Sequence, residues 1–509
     1  MSSNTLKIER AAPPRENRLE AGTAFCGTCE ELRSRIGVKG KACLNQAGRS
    51  FSQSFGCQFT LSLAILNTLQ NTVVVVHGPV GCGFWSVGGL GASRGQKRLR
   101  DPAALSPIWV SSNLDEHDVI NGGEKKLREA VIYADREFHP EAIVVASSCV
   151  PALIGDDTDA ILESLQQDVS AELVSVNCEG FKTRLMATAY DAVYNGILKN
   201  LSSRRIERES YAAGDKLDDL LWDYKKTHTV NVCNVGSMGR ADELELQRLL
   251  NALELNVNFL PCYTRPRDFR RVLDAALNVS ICATHDDYYL RHVKEHFGIP
   301  YIIGAMPVGR KYTARWLMDI ARFFNIEDKA AALIEKEDAA LNEALEPYRA
   351  ALNGKRAYIS GGEIRIFATG ELLRDLGFEI SGYKAHHVDE FMKPFIEEDG
   401  EGPGNTFINV ASQQPFEQAN IVRRLKPDVL VIHTGSGNIT AKHGIPVFPL
   451  FLPANNYMGY SGAFEVAYRL KRVISNAQFN RNMSRYRPLP YRAEWYGKDV
   501  WSYIKPSGG

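Results

Sequence analysis

Three cysteines in the first third of the chain stand where glycines crowd the backbone or a strand runs out: Cys57 in FGCQF, Cys82 in HGPVGCGFW and Cys149 in VVASSCVPALIGDD. A fourth, Cys282, follows ALNVSI far downstream. Ordinary core cysteines sit inside apolar runs, and these do not. Thiolates are soft ligands that select iron-sulfur or zinc over hard cations. The spacing Cys57-x24-Cys82-x66-Cys149 is too long for a compact zinc ribbon. Gly78, Pro79, Gly81 and Gly83 leave the backbone near Cys82 uncovered, so that N–H groups can approach an anionic cluster. Three thiolates alone leave such a cluster under-coordinated, which calls for a second, related chain to complete it.

The elements that must hold these residues alternate between buried strands and amphipathic helices. Val73 to His77, Ala142 to Ala146 and Glu172 to Val176 read as strands, with helices after Cys57, Cys149 and Cys178. A second set starts at Thr229 with VNVCNVG, continues through VNFLPCY and NVSICAT and closes with YIIG. A third opens with RAYISGG, carries a helix over Ile366 to Leu376, then DVLVIHTGSG and a final helix near Ala463 to Ile474. The pattern predicts an α/β fold of three doubly wound, Rossmann-like domains. Their expected extents are 50–215, 216–350 and 351–509, after an N-terminal extension over 1–49. In open α/β sheets the functional crevice lies outside the carboxyl ends of the strands, where Cys149 and Cys282 fall.

Composition narrows the function classes. The 60 basic and 60 acidic residues cancel, so no electrostatic footprint for nucleic acid or an anionic membrane is visible. The aliphatic burst Val73 to Val76 is far too short to span a bilayer, and the polar N-terminal region shows no secretory segment; the expected compartment is the cytoplasm. Ten cysteines over 509 residues are not a dense disulfide framework. Cys178, Cys233 and Cys262 lie on or beside strands and read as packing thiols. Cys26-x2-Cys29 with Cys43 lacks a second close pair and reads as part of a mobile N-terminal wrap. The glycines of NVGSMGRADE match no phosphate-binding pattern. Asp156 and Asp157 read as helix-capping carboxylates. The charged segment from Lys329 to Ala351 reads as a solvated helix, and the tail from Asn480 shows no clear periodicity.

The segments SSNLDEHDVINGGEKKLREAV, SSCVPALIGDDTDAILESL, NCEGF at Cys178 and ICATHDDYYLRHVKEHFGIPYI resemble, in order and over about Ser50 to Arg472, the α-type subunit of nitrogenase-like component 1 proteins. That resemblance implies three such domains around a central metallocluster cavity. It places Cys57, Cys82 and Cys149 on a P-cluster-like 8Fe-7S cluster shared with a paralogous β-type subunit in an α2β2 heterotetramer. Cys282 would hold one end of a large active-site iron-sulfur cluster. The stretch GGEIRIFATGELLRDLG resembles the family's segment beside that cluster, which implicates Gly361, Gly362 and Arg365.

Departures from the family's nitrogenases carry as much information. A histidine holds the far end of their metal cofactor just after the motif that here reads HGIPVFPLF, and this chain has Phe451 there. Met186 and Tyr190 replace a glutamine and a histidine that follow the NCEGF-type motif. An imidazole anchor and polar pocket groups are thus missing, and an all-iron cluster fits what remains. The combination resembles the methylthio-alkane reductase group, which implies reductive C–S cleavage of small methyl thioethers with electrons from a homodimeric ATP-dependent iron-sulfur reductase. Tyr190, His285 and His433 are candidate proton donors. Two rival readings are a scaffold for nitrogenase-type cofactor assembly, which loss of the histidine also suits, and a tetrapyrrole reductase, against which Cys282 speaks.

Overall fold

Unbroken β-branched runs become the strands that are covered on both faces. Thr72–His77 and Ala142–Ser147 are buried at every position, as expected for parallel strands with helices on either side. The computed structural model describes residues 8–38, 44–45, 56–84, 87–199, 216–397, 404–412, 414–432, 441–486 and 492–497. By contact density the chain falls into two compact units, one of Met1–Arg15, Gly56–Gly236 and Gln247–Ile303, the other of Glu16–Phe55, Ser237–Leu246 and Gly304–Gly509.

The first unit holds two four-stranded parallel sheets. One runs Ile108–Ser111, Thr72–His77, Ala142–Ser147, Glu172–Asn177 in spatial order. Its register pairs His77 with Ser147. The carboxyl ends of these strands are therefore level, and the segments carrying Cys82 and Cys149 leave the sheet side by side. The other sheet runs Tyr301–Ile302, Leu277–Ser280, Thr229–Cys233, Asn256–Leu260. Side chains from both sheets and from the helices Gln58–Leu66, Thr188–Ile197 and Ala283–Phe297 share one apolar core, which includes Leu63, Val76, Ala146, Cys178, Cys233 and Leu290. Cys178, Cys233 and Cys262 are all fully or almost fully buried, in keeping with packing thiols.

The second unit is built on a six-stranded sheet. Val447–Pro449, Val429–Ile432, Arg356–Gly361, Glu379–Ala385 and Phe407–Val410 are parallel, and the N-terminal strand Phe25–Thr28 closes the edge antiparallel. Cys26 pairs with Asn409 in that strand. Thr28 then caps the helix Cys29–Arg33 in a capping box with Glu31, and burial pushes the Cys29 thiol up to about 12. The expectation of a mobile wrap over Cys26 and Cys29 is corrected in its mobility: the segment does reach a distant strand, but its backbone is fixed there, completing a sheet edge whose hydrogen-bonding groups need a partner. Cys43 lies outside the described residues.

The charged helix spans Glu327–Leu352 and buries only Ala330, Leu341, Leu345 and Leu352, a solvated helix with one narrow packed stripe. The last long helix is Gly459–Ser475. A further helix over Ala477–Tyr486 was not legible as periodicity. Among the described residues no helix is long and apolar enough to cross a membrane.

Candidate functional site

The three early cysteines reach one place from three elements of the first unit. Cys57 is the N-cap of the helix Gln58–Leu66, Cys82 lies in the short helix Gly81–Phe84, and Cys149 opens the helix Cys149–Ile154. A Cβ built on Gly180 would stand 2.8 Å from Cys57 Sγ and 3.6 Å from Cys149 Sγ. Burial pushes the Cys82 thiol up, the Ser148 hydroxyl pulls it back, and the neighbouring Cys149 and Cys57 push it up again as like charges. Thiols so placed repel one another once ionised, and a cation binding them would displace their protons. Soft donors converging beside a position clear of any side chain suit a metal cluster. Cys57 is exposed, and Cys82 and Cys149 are half-buried. On the same segments Val80, Phe84, Leu153 and Phe181 expose 54 to 72% of their surface. Exposed apolar side chains gathered in this way are unusual on a free surface and are common where a protein meets a partner or ligand.

Gly180 lies against two of these thiols, and sequence reasoning missed it. Its Cβ would also come within 2.7 Å of Cys57 Cβ, closer than real contacts allow. Gly180→Ala must displace Cys57, and iron bound per chain after anaerobic purification is expected to fall about tenfold at this site. Iron content equal to wild type would show that Cys57 tolerates the shift.

Cys282 sits at the N-cap of the helix Ala283–Phe297, is 4% exposed and follows the strand end at Ser280. One turn further on, His285 lies flat against Tyr190, with ring centroids 3.6 Å apart and 16° between planes. The fold thus brings two of the candidate proton donors together beside Cys282. The third, His433, lies outside the described residues. Met186 is half-buried, and its carbonyl accepts from the Ala189 N–H at the start of the Tyr190 helix.

Behind Cys282, Asp286 is fully buried and accepts from Ser280 Oγ at 2.8 Å and Tyr194 Oη at 3.3 Å. Burial outweighs these bonds and raises its carboxyl to about 8. Its folded value thus lies above its unfolded one, so between about pH 4 and pH 8 the folded chain keeps a proton that the unfolded chain has already released. This contribution to stability is complete below about pH 4 and lost as pH rises through about 8. Denaturation midpoints of the wild type are expected to decline over that window and those of Asp286→Asn to flatten. Parallel curves for the two proteins would count against a buried protonated Asp286.

In the second unit, Gly361 ends the strand Arg356–Gly361 and Gly362 caps the helix Glu363–Asp375, with open space where its Cβ would be. Arg365 is 4% exposed, which replaces the alternative of a surface ion pair, and its guanidinium carbon lies 5.6 Å from the centroid of the Phe451 ring. Phe451 is buried and packs edge-on against Tyr457. A histidine-like anchoring role is closed to it, since the ring offers no donor. His386, whose N–H donates to the Gly361 carbonyl, is pushed down to about 3, by burial first and then by Lys384, with His387 and Arg365 adding to the effect. Lys384 is itself brought down to about 8 by burial and donates to Gln418 Oε1 at 2.8 Å. Sequence reasoning missed this buried group, because nothing in the local sequence GYKAHH signals that Lys384 and His386 fold inward.

The reading of Asp156 as a helix cap also changes. Asp157 alone caps the helix Thr158–Leu165, while Asp156 accepts from the Gly123 N–H and pairs with His77 Nε2 at 3.2 Å.

A family model for nitrogenase component 1 type oxidoreductases matches residues 57–475. The nitrogenase iron-molybdenum cofactor biosynthesis protein NifE of Rippkaea orientalis is 28% identical over 88% of this chain and 90% of its own. The nitrogenase molybdenum-iron protein alpha chain of Methanothermobacter marburgensis is 23% identical over 85% of this chain and 88% of its own. Among solved structures, nitrogenase Cp1 at pH 5 superposes with a TM-score of 0.70 at 21% identity, covering 86% of this chain and 91% of that one, which shows a shared fold. With the matched region spanning most of the sequence and all four singled-out cysteines inside it, the chain belongs to the nitrogenase component 1 type oxidoreductase family.

Proposed function

We propose that this chain is the catalytic α-type subunit of a nitrogenase-like reductase that cleaves the C–S bond of small methylthio-alkanes. The observation that carries this reading is the Tyr190–His285 stack one turn from Cys282. Bond cleavage that consumes protons needs a proton-carrying group beside the cysteine that anchors the reactive centre, whereas a carrier of cofactor does not. In the net reaction a methyl thioether takes up two electrons and two protons, the C–S bond breaks, and methanethiol and a hydrocarbon leave. The reductant is a homodimeric ATP-dependent iron-sulfur protein.

When bound, a P-cluster-like 8Fe-7S cluster on Cys57, Cys82 and Cys149, completed by the β-type partner, would relay electrons, and a large, all-iron cluster on Cys282 would store them. The protein's own part is positional and electrostatic. Tyr190 holds the His285 imidazole in one plane, so that one ring nitrogen can take a proton and the other release one. Arg365 carries a buried positive charge of the kind that offsets an anionic cluster. The exposed apolar rim around Cys57, Cys82 and Cys149 suits the β-type subunit in an α2β2 assembly.

The test is turnover. Chain, β-type partner and reductase, purified without oxygen and given ATP and a small methyl thioether, should release methanethiol, and His285→Ala should lower that rate about 100-fold. A second reading, the cofactor-assembly scaffold, is favoured by the NifE relatives and by Phe451 in place of a ligating histidine. Under that reading the same assay yields no methanethiol, and the loaded complex activates a cofactor-free acceptor enzyme instead.

A further inference from the structure

We infer that His77 is a positioning residue for the three-thiol site, its imidazole tying the segment that carries Cys82 to the turn that ends the helix carrying Cys149. The inference rests on the cluster reading proposed above and deepens it.

His77 is the last residue of its strand and is fully buried, five positions before Cys82. Its Nδ1 lies 3.0 Å from Ser112 Oγ, and the same hydroxyl accepts from the Gly78 N–H at 3.0 Å. Gly78 begins the Cys82 segment. On the other side of the ring, Nε2 lies 3.2 Å from Asp156 Oδ2. The Asp156 N–H donates to the Pro151 carbonyl at 3.0 Å, inside the helix that Cys149 opens, and the Asp156 carboxylate accepts from the Gly123 N–H at 3.1 Å. The His77 carbonyl accepts from the Ser148 N–H at 3.0 Å, one residue before Cys149.

One tautomer satisfies the whole chain of bonds. Asp156 can only accept, so the proton sits on Nε2; Nδ1 then accepts from the Ser112 hydroxyl, whose lone pair takes the Gly78 N–H. Burial holds the imidazole below its ordinary value against the opposing pull of Asp156, in keeping with a neutral ring. The packing leaves no slack. A Cβ on Gly78 would fall 1.9 Å from Ser148 Oγ, and one on Gly123 would fall 2.6 Å from Asp156 Oδ2 and 3.0 Å from His77 Cε1. With backbone this close, loss of a ring bond cannot be absorbed by a side-chain shift and is passed to the ligand-bearing segments. Partners that orient metal ligands commonly matter at about 10 to 100-fold in affinity.

The experiment compares wild type, His77→Phe and His77→Gln, each purified anaerobically with the β-type partner. It reads iron per chain, the midpoint potential of the interfacial cluster, and far-ultraviolet circular dichroism. His77→Phe keeps the ring shape and loses both ring bonds, so interfacial iron is expected to fall about tenfold with an unchanged dichroism spectrum. His77→Gln reaches Asp156 and leaves Ser112 unmatched, so its iron content should fall between the two with a displaced potential. If His77→Phe gives no soluble complex, His77→Gln decides alone. Wild-type iron and potential in the soluble variants overturn the positioning role while leaving the cluster reading intact. A wild-type complex without iron at the three thiols overturns both.

Discussion

Cys149→Ala is expected to strip the three-thiol site of its iron and to lower turnover by more than about 100-fold, since a bridging or terminal thiolate has no substitute among the neighbouring side chains. Cys178 is the nearest further thiol in kind, but burial raises it far above the ordinary cysteine range and it bonds the Ser147 carbonyl. It is therefore a poor replacement ligand. The contrast with Cys282→Ala separates the two proposed clusters. Cys149→Ala should remove the interfacial iron and leave iron held through Cys282, and Cys282→Ala should do the reverse. Anomalous scattering at the iron edge on both variants reads this directly. Loss of the same iron in the two variants would mean one site, and iron unchanged in both would end the cluster assignment.

Arg15→Met is expected to destabilise the chain by about 3–5 kcal/mol, the usual cost of leaving buried carboxylates without their cation. Arg15 is fully buried, with Nη1 2.8 Å from Asp287 Oδ1 and 3.4 Å from Asp191 Oδ1, both carboxylates also buried. Its backbone N–H donates to Thr188 Oγ1 at 3.2 Å. These bonds join the N-terminal segment to the helix that carries Tyr190 and to the helix that starts at Cys282. Urea midpoints measure the loss. Adding Asp287→Asn removes one of the stranded charges, so the double variant should regain part of the stability, and strictly additive effects would exclude the coupling. Turnover should fall as well, because both members of the Tyr190–His285 stack stand on the two helices that Arg15 joins.

The central strands of the first sheet are legible before any coordinates, because a strand covered on both faces must be an unbroken apolar run: Val73 to Val76 and Ile143 to Val145 can be little else. The edge strand Phe25–Thr28 is not legible. Its four residues carry no such run, and it is a strand only because Phe407–Val410 offers a free edge far along the chain. The helix Ala477–Tyr486 is hard to see for another reason: Phe479, Met483 and Tyr486 recur at helical spacing, but over only ten mostly polar residues, and Phe479 and Tyr486 stay exposed in the fold.

Cys57, Cys82, Cys149 and Cys282 announce themselves by residue type and by the glycines and strand ends around them, and so does the absence of a ligating side chain at Phe451. Those are local properties of a chain read in order. Gly180 against Cys57, Asp156 on His77 and Arg365 over Phe451 are juxtapositions across 123, 79 and 86 positions, and no local pattern encodes them. Residue chemistry is written in the covalent chain, but what a group touches, how deeply it is buried and hence which proton it keeps follow from packing distant segments into one core. For that reason the ligand types are readable in the sequence, while the side chains that orient them and the shifted titration of buried Asp286, Lys384 and His386 follow only from the folded arrangement.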